Sequence, residues 1–376
     1  MAEHRRLKVG VVGAGHISTI YLTNMTTTFS DYLDVRAVSA TRIESAQKQA
    51  DKYGIRAMTT PDLLADPEIE LVVNLTPVPA HYDIIKTALT NGKHVYTEKV
   101  ITDDLDKAKE LLALAKEKGL YLASAPDTFL GSALQSAKKA LEEGVIGEVT
   151  SFSATASRNN WLMLSAYSFL RMPGGGTCLD YGVYYLTAIV SLLGAVDEVC
   201  AIVKAPFKKH VCINPLAKEY GQEMDTPNES EVAALLQMKS GVMGTFTLDA
   251  DTGVMDRNTF ILHGTKGVML LENPNNFGGT VKVYTGENDP ALYPDWWEQK
   301  VEEEILAPAN PYTENSRGVG PADIAASLEK GVPCHADAQL AVHVLDVLTS
   351  MIRSGGTHAF EKTMTDCAVP EFFPGL

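Results

Sequence analysis

The chain has 376 residues, a formal net charge of -15 and a mean hydropathy of -0.03. This negative charge repels a phosphate backbone and no basic run offsets it, so we expect no nucleic-acid partner. No apolar run approaches the roughly 20 residues that cross a bilayer, so we expect no membrane partner and a cytoplasmic protein. At roughly 100–200 residues per domain, the length predicts two domains.

The cysteines and histidines lack metal-ligand spacing. The five cysteines are widely separated, and none forms the CxxC pair that a zinc or redox centre uses. We therefore expect reduced thiols and no metal site.

The first third of the chain alternates short apolar runs with amphipathic stretches. The runs predict strands and the stretches predict helices. Parallel strands need such crossover connections, so residues 1–125 are predicted to form an α/β domain with a doubly wound parallel sheet. The predicted strands are Leu7–Val12, Val35–Ala40, Leu71–Leu75, His94–Thr97 and Leu120–Ser124; the clearest predicted helices are Glu44–Tyr53, His81–Thr90 and Asp104–Lys118.

Residues 126–376 follow a different pattern. After one helix, strand-like runs separated by turns dominate, which predicts an α+β domain with a large, mostly antiparallel open sheet. Later helices are expected to cover one face of that sheet. The other face is then free, so we expect a homodimer or homotetramer that packs through it. The predicted helices are Gly131–Glu143, Leu179–Leu193, Pro321–Glu329 and Ala338–Arg353.

A glycine turn follows the first predicted strand. Gly13, Gly15, His16 and Ile17 lead into Ser18, a G-x-G-x-x-S arrangement that brings backbone N–H groups and a helix N-terminus to a pyrophosphate. A generic tight turn could use the same residues, but the surrounding βαβ pattern favours a dinucleotide site. We therefore predict that the first four of these residues bind the cofactor.

The end of the second predicted strand bears on which dinucleotide fits. A NAD site usually carries an acidic residue there for the ribose 2′-hydroxyl, whereas this chain has Thr41 and Arg42 after Ala40. Both side chains could receive a 2′-phosphate, although Arg42 could equally be a solvent-exposed cation. NAD(H) and NADP(H) both stay open, with a slight preference for NADP(H).

Two further segments indicate the function more specifically than the glycine turn does. Gly92–Lys99 reads GKHVYTEK, and Pro173–Leu186 reads PGGGTCLDYGVYYL. Both resemble signatures of the Gfo/Idh/MocA oxidoreductases, the family of glucose–fructose oxidoreductase and inositol dehydrogenase, and the likeness runs nearly end to end. The resemblance implies a Rossmann domain, a substrate domain and hydride transfer between a nicotinamide and a hydroxyl-bearing carbon.

The first of these motifs implies a role for Lys99. In the family, a Glu-Lys-Pro motif brings its lysine to the nicotinamide and the substrate. Glu98 and Lys99 match it, and the resemblance implies that both lie at the cofactor. Val100 replaces the usual proline, whose peptide bond is often cis, so the backbone at Lys99 is expected to differ.

The second motif departs from the family pattern. The family commonly has Asp-x-Gly-x-His with the histidine as acid/base, whereas this chain keeps Asp180 and Gly182 but has Tyr184 in the last position. A free phenol, with a pKa of about 10, is a poor base at neutral pH, and a neighbouring ammonium favours its ionised form. We hypothesise that Tyr184 accepts the hydroxyl proton, with Lys99 as its electrostatic partner and substrate ligand. Asp180 would orient one or both.

Other contacts are expected around these residues. Thr76, Pro77 and His81 follow a predicted strand at the edge where ligands gather in open α/β sheets, and we expect them at the cofactor. The resemblance also covers Ala125–Gly131 at the domain junction and Glu314–Gly318 before a helix. The loop of residues 158–161, which follows a predicted strand, could line the sugar site or simply face solvent. The expected substrate contacts are Lys99, Asp127, Arg158, Asn160, Trp161, Asp180 and Tyr184.

The motifs together predict an NAD(P)-dependent dehydrogenase or reductase of a sugar, glycoside or polyol. One alternative keeps the cofactor tightly bound and cycles it within one turnover, through internal redox or oxidation-assisted elimination. Another is a catalytically silent NAD(P)-binding sensor.

Overall fold

Two β-sheets organise the chain. The structure is a computed structural model that describes residues 5–287 and 300–376. The first sheet has six strands, and all of its neighbouring strands pair in parallel. In chain order they are β1 (Leu7–Val12), β2 (Leu33–Ser39), β3 (Arg56–Met58), β4 (Leu71–Asn74), β5 (His94–Thr97) and β6 (Leu122–Ser124).

The strands lie in the order β3-β2-β1-β4-β5-β6, which is that of dinucleotide-binding folds. Every residue of β4 is buried, because helices cover both faces of a central parallel strand. The order changes direction between β1 and β4, so the carboxyl ends of these two strands open a crevice where ligands bind. The helices of this part are α1 (Ser18–Thr26), α2 (Ile43–Tyr53), α3 (Thr60–Ala65), α4 (His81–Thr90) and α5 (Leu105–Lys118).

The remainder of the chain supplies eleven further strands within the described residues. They are β7 (Val149–Ser157), β8 (Val196–Lys204), β9 (Lys209–Val211), β10 (Glu223–Asp225), β11 (Glu231–Met238), β12 (Met243–Asp249), β13 (Thr259–Gly264), β14 (Gly267–Leu271), β15 (Lys282–Glu287), β16 (Lys300–Ile305) and β17 (Glu361–Lys362). Nine of them form one sheet in the order β16-β15-β14-β13-β7-β12-β11-β8-β17, while β9 and β10 pair separately. In the large sheet only β7 and β12 pair in parallel.

One face of the large sheet is in the core and the other faces solvent. Residues of β11 alternate between buried and exposed from Val232 to Met238, the pattern of a strand covered on one side. The helices of this part are α6 (Ser132–Glu142), α7 (Asn160–Ala166), α8 (Val183–Leu193), α9 (Val319–Lys330) and α10 (Ala338–Thr357).

The predicted fold class is confirmed, with a parallel α/β sheet followed by a mostly antiparallel sheet. The loop predicted around Trp161 is wrong, because α7 begins at Asn160 and the Asn159 side chain caps it by accepting the Leu162 N–H. The sequence pattern also missed β3, α3, β9, β10 and β17, which are too short for a hydrophobic period to show, and β16, whose six residues are all exposed. The division at residue 125 stays a prediction. Among the described helices, none has both the length and the apolar character that a membrane crossing needs.

Candidate active site

A cleft of about 660 Å³ opens beside the end of β5. Its size is within the range of small-molecule sites. Lys99, just after β5, lies on one wall, and the C-terminal part of the chain supplies the rest of the lining. That lining combines charged, amide, aromatic and thioether side chains: Ser157, Arg158, Met163, Tyr167, Phe169, Asp180, Tyr181, Tyr184, Met255, Asp256, Asn258, Leu271, Glu272, Asn273, Asn275, Asn276 and Arg317.

Asp180 joins two cations at one end of the cleft. Lys99 Nζ donates to Asp180 Oδ1 at 2.5 Å and to its main-chain oxygen at 2.8 Å, and Arg158 Nη1 donates to Oδ2 at 2.5 Å. Burial would raise the pKa of the Asp180 carboxyl, but the charges of Lys99 and Arg158 outweigh it and lower that pKa to about 2. Burial likewise opposes the Lys99 charge, yet Asp180 keeps the lysine pKa above its ordinary value. Lys99 is therefore a charged donor at neutral pH.

The glycine-rich motif lets the chain turn tightly before Asp180. Asp180 lies in a wide helical turn, Cys178–Gly182, that runs directly into α8. The half-buried Glu229 carboxylate accepts the Cys178 N–H at 3.1 Å at the start of this turn. A Cβ at Gly176 would collide with that carboxylate, so glycine is required for the close approach.

Tyr184 lies beside Lys99 in the first turn of α8. Lys99 Nζ is 5.3 Å from the Tyr184 ring centroid, and both side chains line the cleft. The neighbouring Tyr185 is fully buried and packs against Phe246 and Phe260 in the core. The structure thus brings Lys99, Asp180 and Tyr184 together, and the role of each stays a prediction.

The glycine turn after β1 has the shape that a pyrophosphate needs. Gly13 has φ 111°, and a Cβ there would lie 2.8 Å from the Leu75 backbone, whereas the space around Gly15 is open. Ser18 is buried and its hydroxyl donates to the Gly15 carbonyl at 2.6 Å, which explains a small polar residue in the third motif position. His16 is exposed beside this turn, and Ile17 stands at the N-terminus of α1. The residues present therefore fit a dinucleotide.

The other predicted cofactor residues lie near the same sheet edge. Thr41 and Arg42 are exposed after β2, and Pro77 is exposed after β4. Thr76 is tied to Asn74, whose Oδ1 accepts its hydroxyl at 2.7 Å. The contacts of these residues with a cofactor stay predictions.

Glu98 lies under Lys99 and is already engaged by the protein. Its Oε1 accepts the Tyr21 hydroxyl at 2.9 Å and its Oε2 accepts the Lys99 main-chain N–H at 3.1 Å. The Lys99–Val100 peptide bond is cis, so the backbone difference expected from the missing proline is not found.

The prediction that His81 contacts the cofactor is wrong for its side chain. The ring is fully buried, and its two nitrogens lie 2.8 Å from the Val100 carbonyl and 2.7 Å from the Thr76 carbonyl. Burial lowers the pKa of His81, although both carbonyl contacts act against that shift. His81 instead fixes the segment after β4 against the segment that follows Lys99.

Asp127 does not contact the cleft either, so its assignment to the substrate is corrected. Its carboxylate is buried, and Oδ2 accepts the N–H groups of Gly318 at 3.1 Å and Gly320 at 3.2 Å. Burial raises the pKa of this carboxyl to about 6, against the nearby charge of Arg317. Asp127 anchors the segment that carries Arg317.

Of the three substrate residues predicted after β7, only Arg158 lines the cleft. Asn160 is buried and its Nδ2 donates to Thr177 Oγ1 at 3.3 Å. Trp161 packs edge-to-face on His210, with ring centroids 4.9 Å apart. Both side chains are engaged by the protein at α7, and their contacts with a substrate stay predictions.

The sequence analysis did not assign Arg317 to the site. The residue is half-buried, lines the cleft and donates from Nη2 to Asn275 Oδ1 at 3.1 Å. Its position inside the matched segment Glu314–Gly318 was the available signal. Tyr181 was missed as well; its ring lies 5.3 Å from the Arg158 guanidinium carbon and its hydroxyl accepts the Asn273 amide at 3.0 Å.

Comparison with known proteins identifies the family. Residues 7–125 match the oxidoreductase family GFO/IDH/MocA with an NAD-binding Rossmann fold, and residues 134–270 match the GFO/IDH/MocA C-terminal domain. The chain belongs to the Gfo/Idh/MocA oxidoreductase family. Within the described residues of this family member, no group of three or more histidine, cysteine or acidic side chains could hold a metal ion.

Two relatives illustrate the range of sequence similarity. The chain is 35% identical over 234 residues to the uncharacterized oxidoreductase YhhX of Escherichia coli, and the match covers 62% of each protein. It is 26% identical over 272 residues to trans-1,2-dihydrobenzene-1,2-diol dehydrogenase of Bos taurus, covering 71% of this chain and 75% of that enzyme.

Solved structures share the fold at lower identity. A levoglucosan dehydrogenase in complex with NADH and L-sorbose aligns with a TM-score of 0.81 at 19% identity, over 96% of this chain and 100% of that one. An NAD binding oxidoreductase from Klebsiella pneumoniae aligns with a TM-score of 0.77 at 19% identity, again over 96% and 100%.

Replacing Asp127 with asparagine tests the cost of its buried charge. The folded-state pKa of about 6 exceeds the ordinary aspartate value of 3.8, so the folded state binds the proton more tightly, and this group's contribution to stability is lost as pH rises from about 4 through 6. We expect Asp127→Asn, which keeps an acceptor oxygen, to gain about 2–3 kcal/mol over the wild type between pH 4 and pH 7.5. Urea unfolding at both pH values measures this difference.

The matched control is Asp51→Asn on the exposed face of α2. Its effect should stay within about 0.5 kcal/mol at both pH values. A constant stability difference between Asp127→Asn and the wild type across this pH range would contradict the assignment.

Proposed function

We propose that this chain is an NAD(P)-dependent dehydrogenase or reductase that moves a hydride between a hydroxyl-bearing carbon of a sugar, glycoside or polyol and the nicotinamide. The observation that carries the proposal is the position of Tyr184 beside the Lys99 ammonium, in a cleft next to the sheet edge where family members bind NAD. A tyrosine beside a fixed cation can exchange a proton with a hydroxyl group.

The residues divide the work of hydroxyl oxidation. A bound nicotinamide supplies the hydride acceptor. Two N–H groups of Lys99 are used on Asp180, which leaves the third for the substrate hydroxyl oxygen. Tyr184 Oη, in its ionised form beside the ammonium, takes the hydroxyl proton, and Asp180 keeps the ammonium fixed so that no reorientation is needed during the reaction. In the reductive direction the same atoms return the proton.

The lining of the cleft supports a polyhydroxylated substrate. Lys99 and Arg317 offer only donors, whereas Asp256 and Glu272 offer only acceptors when ionised. A hydroxyl group can satisfy either kind of partner. Relatives of this chain include a diol dehydrogenase, and a structural neighbour is a levoglucosan dehydrogenase, which places sugars, anhydrosugars and cyclic diols first in a substrate panel.

The substrate panel consists of sugars, inositols, glycosides, anhydrosugars and trans-diols, each with NAD+ and NADP+, followed at the nicotinamide absorbance. On a substrate found this way, we expect Lys99→Ala and Tyr184→Phe each to lower kcat by roughly 10²–10⁴-fold, because each removes part of the proton-transfer site. Cofactor that co-purifies and never accumulates in solution as NAD(P)H would instead favour the alternative in which a tightly bound cofactor is cycled within one turnover.

The matched control is Tyr185→Phe. Its hydroxyl is buried and has no hydrogen-bond partner among the described residues, so we expect kcat near that of the wild type. Near-wild-type kcat in both Lys99→Ala and Tyr184→Phe would contradict the proposed roles. No turnover with any member of the panel, together with tight NAD(H) binding, would favour the silent sensor.

We further propose that Thr41 and Arg42 bind the 2′-phosphate of NADP(H). Both side chains are exposed after β2, and no acidic residue occupies the end of that strand. We expect Arg42→Ala to raise KM for NADP+ about tenfold, equivalent to one charge-assisted contact of about 1.4 kcal/mol, with KM for NAD+ unchanged. The control is Arg36→Ala, which removes the exposed partner of Asp34. Equal effects of Arg42→Ala on both cofactors would overturn the preference.

The open face of the large sheet is proposed to join two copies of the chain. Ile202, Leu235 and Met243 lie on this face and are 54%, 52% and 65% exposed, and burying such apolar surface stabilises a dimer. Light scattering is expected to give a multiple of 40.7 kDa, and Leu235→Glu to shift it to the monomer. The control Leu216→Glu alters a residue that is 93% exposed outside the sheet. A monomeric wild type would refute the proposal.

A further inference from the structure

Arg317 is a cation at the cleft whose charge the hydroxyl chemistry above does not use. Its guanidinium donates from Nη1 to Asn315 Oδ1 at 2.9 Å and from Nη2 to Asn275 Oδ1 at 3.1 Å. Both partners are neutral amides, and no carboxylate within the described residues forms an ion pair with it. A half-buried charge without a direct counter-ion is costly, so its presence in a ligand cleft points to an interaction formed during function.

The segment that carries Arg317 is held from two sides. Asn24 Nδ2, in α1, donates to the main-chain oxygens of Asn315 at 2.8 Å and Arg317 at 2.9 Å. The buried Asp127 carboxylate accepts the N–H groups of Gly318 and Gly320. The guanidinium is therefore placed before any ligand arrives, as an electrostatic catalyst requires.

Arg317 lines the same cleft as Tyr184 and Lys99. Burial works against the charged form of Arg317, but the ionised forms of Tyr184, Tyr21, Glu98 and Asp127, in that order of effect, raise its pKa above the ordinary value. Lys99 acts on the same phenol from the other domain, although its charge is shared with Asp180.

The remaining charged groups near Tyr184 do not replace Arg317. Arg158 and Lys99 together carry two positive charges, of which Asp180 neutralises one. Tyr181, on the same helical segment, has its ring centroid 6.3 Å from that of Tyr184 and its hydroxyl held by amides. Asp256 and Glu272 line the cleft as well, and their charge opposes a phenolate.

We propose that Arg317 is the second cation of the proton-accepting site, stabilising the negative charge of the Tyr184 phenolate before the transfer and that of the substrate oxygen once the hydroxyl proton has left. The inference rests on the proposed function. A neutral polyol carries no anion that could pair with Arg317, so the charge that Arg317 stabilises comes from the proton transfer itself. The substrate O–H bond breaks as an O–H bond forms on the Tyr184 phenolate, and the electron pair left on the substrate oxygen forms the C=O bond as the carbon gives up hydride to the nicotinamide. Arg317 exchanges no proton and is a positioning residue for the charge on Tyr184.

The test compares Arg317→Gln and Arg317→Lys by the pH profile of kcat. Removing the cation disfavours the phenolate, so in Arg317→Gln the acid limb is expected to move to higher pH by about one unit, with kcat at pH 7 about tenfold lower. KM for the sugar should change less than about threefold. Arg317→Lys, which keeps the charge but not the fork of donors, should recover at least half of the shift.

The control and a second measurement keep the test decisive. Arg353→Gln removes a guanidinium on α10 that pairs with Glu361 at 3.8 Å outside the cleft, and its profile should match the wild type. In Arg317→Ala, added guanidinium chloride should restore kcat relative to sodium chloride at equal ionic strength. If the Gln variant fails to fold, the Lys profile and this rescue decide the question.

Three results would overturn the inference. An unmoved acid limb with a raised KM would assign Arg317 to substrate binding, and equal losses in the Lys and Gln variants without guanidinium rescue would assign it to loop structure. An Arg317→Gln enzyme that behaves like the wild type would remove any role. Tyr184→Phe separates this failure from that of the proposed function, because an active Tyr184→Phe enzyme removes the tyrosine base itself.

Discussion

The ion triad of Lys99, Asp180 and Arg158 is the constraint on which the site depends. One carboxylate, from the turn before α8, binds a cation that follows β5 and another that follows β7. All three side chains are largely buried, so each charge relies on the others, since an unpaired buried ion costs several kcal/mol. The triad therefore joins the parallel sheet to the large mixed sheet at the point where the cleft opens.

The triad also bears on the proposed role of Tyr184. Lys99 is kept charged by Asp180 and cannot serve as a base at neutral pH. Asp180 is engaged by both cations and has a lowered pKa, so it is a poor proton acceptor. Lys99 and Asp180 are hydrogen-bonded to each other. The Tyr184 hydroxyl has no hydrogen-bond partner within the described part of the chain, and Tyr184 lines the cleft.

How far the sequence predicts the site depends on what fixes each side chain. The two family-like motifs grouped Lys99, Asp180 and Tyr184, and the structure brings the three side chains together. Only Lys99 follows a strand of the parallel sheet, and the catalytic roles stay predictions. The direction of His81 and Asp127 could not be predicted, since it is set by hydrogen bonds to backbone groups 19 and about 190 residues away. Periodicity fixed the long helices and strands, whereas α7 has only seven residues and depends on its Asn159 cap.

The short helix α1 connects the glycine turn with the segment that carries Arg317. Its first turn follows the glycine loop that fits a pyrophosphate, while Asn24, near its other end, holds the main chain of Arg317. At 1.5 Å per residue, nine residues make a rod of about 13 Å. The distance between the glycine turn and the main chain of Arg317 is thus set by one rigid element. If the proposed dinucleotide site is occupied, any shift of this rod would also displace the segment that carries Arg317.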